Sequence, residues 1–344
     1  MPDSSGADMI SRTRENLLRR LVPGGPIASA GTFHSSRQET FDMEKRILGN
    51  TGLEVTVVGF GAMTIGGAFG PVDDNESNRA LHAAIDGGMN FIDTSDAYGA
   101  GLSENVIGKF LKERSDRHNI IIFTKGGNNM ATGNRDFTPE YIANALENSL
   151  KRLEVEAIDL YLLHNPVLDN MQAEDSYAVL EKAKDDGKIK NWGVSVNTDD
   201  ECDYAVEQSR PSVMQMEYNI LGQSPAASFA RAKEAGMGVI SRVPLKRGFL
   251  SGRIDETFEF AEGDRRKKML SPENIKKFQD KLNRLRDVAG QLNISPAEAA
   301  IRFCVSNTDV TCVIPGIRTP EQSTQNAACG EVLPPEAVSR LREF

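Results

Sequence analysis

Nine consecutive residues, Phe91-Ile92-Asp93-Thr94-Ser95-Asp96-Ala97-Tyr98-Gly99, hold two carboxylates and a phenol directly after an apolar stretch. The pattern predicts a short buried strand over 90–94, entered from the helix-ending pair Gly87-Gly88, that breaks into a polar loop. An acid at a strand end with a tyrosine five residues later is a start to a proton-transfer site, though both are also ordinary loop residues. Comparable groups follow other apolar runs. Lys125 follows 119–124, His164 follows 159–163 and Ser195 follows 191–194. Gln215 lies within 213–217 with Tyr218 just after it, Arg242 follows 237–241, and Arg318 comes after 310–314. An isolated tyrosine is a poor acid, with a pKa of about 10. A nearby ammonium stabilises its phenolate and lowers that value, and a carboxylate keeps the ammonium charged and in place. Lys125 and Asp93 therefore suit Tyr98 as a general acid with a lowered pKa, and His164 suits hydrogen bonding to a carbonyl oxygen. Asp96 reads as an Asx turn of the loop rather than as a catalytic group.

Such residues act together only if their strands deliver them to one rim. The chain supplies the means, because apolar strand-length runs alternate with amphipathic helical stretches. Asp73 with Glu76 predicts a helix start before Ala80, Leu81, Ala84 and Ile85, and further helices are predicted over 103–113, 138–153, 175–186, 199–208, 225–235, 272–291, 295–306 and 320–329. Thr138-Pro139, Ser295-Pro296 and Thr319-Pro320-Glu321-Gln322 have the capping pattern of helix starts. Counting a first strand at 55–59, eight strands are expected, and the inferred fold is α/β, a (β/α)8 TIM barrel. Ahead of it, 44–48 and 53–58 flank Gly49-Asn50-Thr51-Gly52 and predict a β-hairpin closing the barrel bottom. Gly59-Phe60-Gly61 invites a dinucleotide fingerprint, but Thr64 stands where the third glycine belongs. Residues 63–70 then read as a flexible loop over the site. Met63 and Phe69 either line a substrate pocket or pack that loop onto the barrel, and Asn165 is a further pocket candidate.

Net charge of -9 argues against a nucleic-acid partner. The one dense basic cluster, Arg265-Arg266-Lys267-Lys268, reads as a solvated loop before a helix. Four cysteines without CxxC spacing and four histidines without paired ligand spacing give no expectation of a metal, and reduced thiols suit a cytoplasmic location. No apolar run reaches the roughly 18 residues that span a bilayer, so no membrane association is expected. Residues 1–42 lack sustained apolar periodicity and are expected to be a disordered or loosely attached N-terminal extension, with 43–344 a single domain.

These residues fall in motifs: Arg46-Ile47-Leu48-Gly49, Thr51-Gly52-Leu53, Phe91 through Gly99 with Ser103-Glu104, Thr124-Lys125, Asp159 through His164, Gly193-Val194-Ser195, Gln215 through Asn219, Pro244-Leu245 through Gly248, and Ile314-Pro315-Gly316. In these the chain resembles the aldo-keto reductase superfamily, in its bacterial-type members, over residues 44–344. The resemblance implies reversible hydride transfer between NAD(P)H and an aldehyde or ketone. It implies Tyr98 as general acid, tuned by Lys125 and Asp93, with His164 orienting the carbonyl. It implies Ser195 and Gln215 on the nicotinamide carboxamide, and Tyr218 either stacked on the ring or merely capping the rim. It implies a pyrophosphate wrapped by 242–252, including Arg242, Pro244, Leu245, Gly248, Leu250 and Gly252, with Pro315 and Gly316 nearby. Arg318 is expected on the 2'-phosphate of NADP unless it pairs with Glu321, and Gln322 and Asn326 near adenine; a phosphate suits the arginine fork, favouring NADPH over NADH. Ser195 is followed by Val196, with Asn197 one place later, and Val196 is expected to point into the barrel wall. Two other readings are a non-catalytic nucleotide-binding auxiliary subunit of the same fold and a barrel enzyme using Lys125 as a Schiff base. Substrate identity and oligomeric state are not readable from these patterns.

Overall fold

The structure, a computed structural model, describes residues 43–343 apart from 256, 261, 263 and 265. The extension expected over 1–42 lies outside the described residues. Strands β1 (Lys45–Ile47) and β2 (Glu54–Thr56) pair antiparallel as the hairpin. The barrel begins with β3 (Phe60–Gly61), β4 (Phe91–Asp93) and β5 (Ile121–Gly126). A short ribbon of β6 (Asn128–Asn129) and β7 (Asn134–Arg135) follows. The barrel then continues through β8 (Ile158–His164), β9 (Ile189–Ser195), β10 (Val213–Glu217), β11 (Gly238–Arg242) and β12 (Cys312–Ile314). Its neighbours run β3-β4-β5-β8-β9-β10-β11-β12, all parallel. The two ends join: Gly59 N donates to Val313 O at 2.9 Å, Val313 N to Val57 O at 2.9 Å and Gly61 N to Pro315 O at 3.0 Å. The expected eight-stranded (β/α)8 barrel is closed by this seam.

The helices are α1 (Asp74–Asp86), α2 (Leu102–Glu113), α3 (Pro139–Leu153), α4 (Leu168–Ala173), α5 (Asp175–Asp185), α6 (Asp199–Gln208), α7 (Ala226–Glu234), α8 (Arg266–Met269), α9 (Pro272–Lys277), α10 (Gln279–Gln291), α11 (Pro296–Val305), α12 (Pro320–Ala327) and α13 (Pro335–Arg342). The predicted caps are made: Asp73 accepts from Asn75 N at 2.8 Å, and Thr138, Ser295 and Thr319 accept from the third residue on. Three expectations change. Residues 54–56 belong to the hairpin rather than to the barrel, whose first strand is β3. The helix expected over 272–291 breaks at Phe278, which ends α9 and starts α10. The loop expected over 63–70 begins as a 3-10 turn at Ala62–Thr64.

Side chains alternate across a strand, so every second residue faces the barrel axis. The inward rows of Phe91, Phe123, Leu160, Leu162, Val213, Ile240, Cys312 and Ile314 form one apolar cluster at the lower level, with Leu48 of the hairpin inside it. Gly238 shows how closely Leu48 is seated, because a Cβ there would fall 2.7 Å from Leu48 Cδ1. Asn50 N also donates to Gly236 O at 2.8 Å, so the turn between β1 and β2 stoppers the barrel bottom as expected. A second, larger cluster packs the outward rows against the helices.

Candidate active site

The inward rows change character as they rise. Phe91 is followed two residues later by Asp93, Phe123 by Lys125, Leu162 by His164, Gly193 by Ser195, Val213 by Gln215 and Ile240 by Arg242. Parallel strands put all their C-terminal ends on one face, so these six groups meet there. Gly193 has no Cβ because β10 is too near: a Cβ would stand 2.2 Å from Val213 O.

Lys125 and Asp93 are fully buried and joined at 2.5 Å from Nζ to Oδ1, and Nζ also donates to Thr94 O at 2.8 Å. Gln215 Nε2 donates to the other Asp93 oxygen at 2.8 Å, and Ser195 Oγ to Gln215 Oε1 at 3.1 Å. Tyr98 sits above, half-buried, with Lys125 Nζ 5.3 Å from its ring centre and the His164 ring edge-on at 5.9 Å. Outward residues buttress the loop. Glu104, fully buried, accepts from Thr124 Oγ1 at 2.5 Å and from Arg152 Nε at 2.7 Å, and Thr94 Oγ1 lies 2.8 Å from Ser103 Oγ.

Burial works against the Lys125 charge, but the Asp93 carboxylate outweighs it and holds the ammonium above its ordinary range. Burial dominates for Tyr98 and raises it above 10, although Lys125 and Arg242 pull the other way. The expected lowering of Tyr98 is thus corrected: desolvation exceeds the pull of the cations. Burial, then Lys125, Arg242 and Arg135, hold His164 well below 6.5, so its imidazole is neutral. A lysine held charged is unsuited to a Schiff base, which needs a free amine.

Tyr218 is the clearest departure. It falls on the outward row of Met214 and Met216, is fully buried, and stacks on Phe303 at 5.8 Å with Phe229 edge-on at 5.6 Å. One residue of parity removes it from the site, so it neither stacks on a nicotinamide nor caps the rim. Leu250 is likewise fully buried in the outer core, and Val196 is buried in the wall as expected.

Arg242 lies at the mouth. Its Nη2 donates to Val196 O at 2.9 Å and to Asn197 Oδ1 at 2.8 Å, and its Nε is buried without a hydrogen-bond partner among the described residues. Beyond it Val243, Lys246, Arg247 and Gly248 have φ of 58°, 45°, 57° and 93°, a run of left-handed backbone of the kind that clusters at ligand sites. Lys246 bonds Glu217, and Arg242 and Arg247 stand 4.0 and 3.9 Å from the same carboxylate. Three cations thus share one anion. Across the seam, Arg318 N donates to Gln322 Oε1 at 2.8 Å, and its guanidinium donates to Phe69 O at 3.3 Å and to Pro71 O. It contacts those carbonyls rather than Glu321. Asn326 is buried on α12, Pro315 is buried and Gly316 exposed. Phe69 lies under the Arg266 guanidinium at 4.7 Å, while Met63 and Asn165 are half-buried, Asn165 with φ of 59°.

Residues 57–344 match the model of the aldo/keto reductase family. The chain belongs to the aldo/keto reductase family. Relatives agree with that assignment. An aldo-keto reductase named yakc [NADP(+)] from Schizosaccharomyces pombe is 30% identical over 300 residues, which cover 84% of this chain and 88% of that one. Among solved structures, the holo form of aldo-keto reductase AKR11C1 from Bacillus halodurans has a TM-score of 0.74 at 29% identity, covering 88% of this chain and 96% of that one. The glycerol dehydrogenase AKR11B4 from Gluconobacter oxydans has a TM-score of 0.74 at 29% identity, covering 86% and 93%. As a member of this family the protein is an oxidoreductase that works with a nicotinamide cofactor on carbonyl and alcohol groups. Among the described residues no helix is long and apolar enough to cross a membrane. The Ser95, Asp96, Glu104, Thr124 and Arg152 contacts were missed as site features; Glu104 belongs to a recognised motif, but its role needed the outward face of β5 against α2 and α3.

Proposed function

We propose that this aldo/keto reductase reversibly reduces an aldehyde or ketone with NADPH, using Tyr98 as general acid. The observation that carries it is the buried Lys125–Asp93 pair set beneath Tyr98 and beside a neutral His164. When bound, the nicotinamide would supply a hydride to the carbonyl carbon. Tyr98, kept protonated by its burial, gives its proton to the carbonyl oxygen as that oxygen gains electron density, and the product is the alcohol. Lys125, held charged by Asp93, stabilises the phenolate left behind. His164 donates a hydrogen bond that orients the carbonyl and shares the developing charge.

The residues present fit the cofactor. Ser195 and Gln215 would bind its carboxamide, since Gln215 keeps a second N–H and a second lone pair after its bonds to Asp93 and Ser195. The surplus positive charge of Arg242, Lys246 and Arg247 and the orphaned Arg242 Nε suit a pyrophosphate, with backbone from Pro244, Leu245, Gly248 and Gly252 around it. Pro315 and Gly316 would flank it across the seam, Arg318 would take the 2'-phosphate, and Gln322 and Asn326 would lie near adenine. Met63, Phe69 and Asn165 are our candidates for the wall that receives a small carbonyl substrate.

The test is a fluorescence titration of the protein and of Arg318→Ala with NADPH and NADH. Tighter NADPH binding that weakens by about 10- to 100-fold in the variant, toward the NADH value, is expected for a lost charge-assisted phosphate contact. Equal binding of both nucleotides by both proteins overturns the phosphate assignment, and no binding of either overturns the function.

A further inference from the structure

His164 turns one ring nitrogen away from the mouth. Its Nδ1 lies 2.9 Å from Ser95 Oγ, and Ser95 Oγ lies 3.1 Å from Asp96 Oδ1. Ser95 is fully buried and Asp96 is 8% exposed. The loop backbone fixes both: Ala97 N donates to Ser95 Oγ at 3.1 Å, Asp96 N to Lys125 O at 3.1 Å and Tyr98 N to Ser95 O at 3.1 Å. A hydroxyl has one proton and two lone pairs. With Ala97 N–H on one lone pair, two arrangements satisfy the other contacts. In the first, a protonated Asp96 donates to Ser95 Oγ and Ser95 donates to His164 Nδ1, which leaves the imidazole proton on Nε2. In the second, Ser95 donates to the Asp96 carboxylate and His164 Nδ1–H donates to Ser95, which leaves Nε2 bare. Donation by Ser95 to Lys125 O, 3.4 Å away, gives the same tautomer as the second. Only the first arrangement offers an N–H to a carbonyl oxygen.

We propose that Asp96, acting through Ser95, sets the tautomer of His164 and thereby decides whether the site can donate a hydrogen bond to the substrate carbonyl. Asp96 is a positioning residue in this scheme, and its consequence for turnover rests on the reductase reading above. The charged and titratable groups around the relay are Glu104 from α2, Arg152 and Tyr141 from α3 and Tyr161 from β8 for Asp96, and Lys125, Arg242, Arg135 and Tyr98 for His164. Burial first, then Glu104, raises Asp96 to about 7 against the bond from Ser95 and the charge of Arg152. A carboxyl raised in this way holds its proton below about pH 7 and loses it above, so the donating tautomer is present on the acid side and is lost as pH rises. His164 stays neutral throughout, so its tautomer and not its charge changes. Tyr98, raised above 10, does not titrate in that window.

Nitrogen-15 histidine spectra of the full-length protein without nucleotide, from pH 6 to 8.5, read the tautomer directly, with His164→Gln identifying the His164 signals. The expected result is an Nδ1 that is a bare acceptor at pH 6 and carries the proton by pH 8.5, with a midpoint near 7. Asp96→Asn has no proton to lose there, so the shifts become independent of pH whichever way the amide faces, and Ser95→Ala cuts the link. In parallel, kcat for NADPH-dependent carbonyl reduction is expected to fall roughly tenfold per pH unit above the midpoint, as protonated Asp96 is depleted, and that limb is absent in Asp96→Asn. Shifts that do not move in the native protein, or that keep the same midpoint in Asp96→Asn, overturn the relay. Absence of NADPH-dependent turnover at pH 6 with the tautomer change intact overturns the reductase reading instead.

Discussion

As the proposed general acid, Tyr98 would have to keep a proton at neutral pH and release it only when a carbonyl oxygen becomes basic. Burial that raises its pKa serves the first demand, and Lys125 beneath it serves the second. In that proposed role, removing the hydroxyl would leave the substrate without its acid while Lys125 keeps its bonds to Asp93 and Thr94. Tyr98→Phe is expected to lower kcat for carbonyl reduction by about 10²- to 10⁴-fold, the usual weight of a general acid, while NADPH affinity in the fluorescence titration stays near native. His164 makes a separable prediction about stability. Its folded-state pKa is depressed, so as pH falls below about 6.5 the unfolded chain takes up a proton that the folded site refuses, and stability declines. Between pH 6.5 and 5.5 that slope amounts to at most about 1.4 kcal/mol per pH unit. Asp96, raised to about 7, contributes the opposite slope over the same interval, so the His164 share is read as a difference: acidification from pH 6.5 to 5.5 is expected to affect the denaturant midpoint less unfavourably in His164→Gln than in the native protein. An unchanged slope in that variant would mean that the imidazole is already charged in the fold.

The elements explain what the sequence could show and what it could not. Asp93, Lys125, His164, Ser195, Gln215 and Arg242 each end or nearly end a strand-length apolar run, so a count of runs finds them. Their convergence follows from parallel strands alone. The same count fails at Tyr218, because adjacency to a strand end does not reveal parity: Gln215 and Glu217 face inward, and the next residue faces the helices. Thr124 sits on the outward row of β5, and Glu104 and Arg152 on α2 and α3 against it, where a buried ion pair looks in sequence like surface charge. The hairpin was legible from its glycine turn, and it supplies a prediction at this scale. Leu48 fills the floor of the barrel against Gly238, so Leu48→Ala should open a cavity there and cost about 2–5 kcal/mol. Urea unfolding checks this, and a cost below 1 kcal/mol would mean that the hairpin covers the floor without supporting it.

At the level of the whole chain, Met43 is buried in the outer core beside Val57 and Gly330. We propose that 43–344 is a self-sufficient domain. A chain beginning at Met43 is expected to keep its thermal midpoint within about 2 °C of the full-length protein and to keep its NADPH-dependent kcat. A large loss of either would assign residues 1–42 a part in the fold or the reaction.

The seam has a consequence for how the molecule is made. Thr64 Oγ1 meets Ile317 O across 253 residues of chain, and the backbone bonds from Gly59 and Gly61 to Val313 and Pro315 span comparable distances. Contacts this far apart repay the entropy of loop closure only after everything between them is ordered. During synthesis β3 therefore waits with an unpaired edge until β12 has left the ribosome. The seam should be the last part of the barrel to form, and until it forms the open edge is a place where another chain could pair.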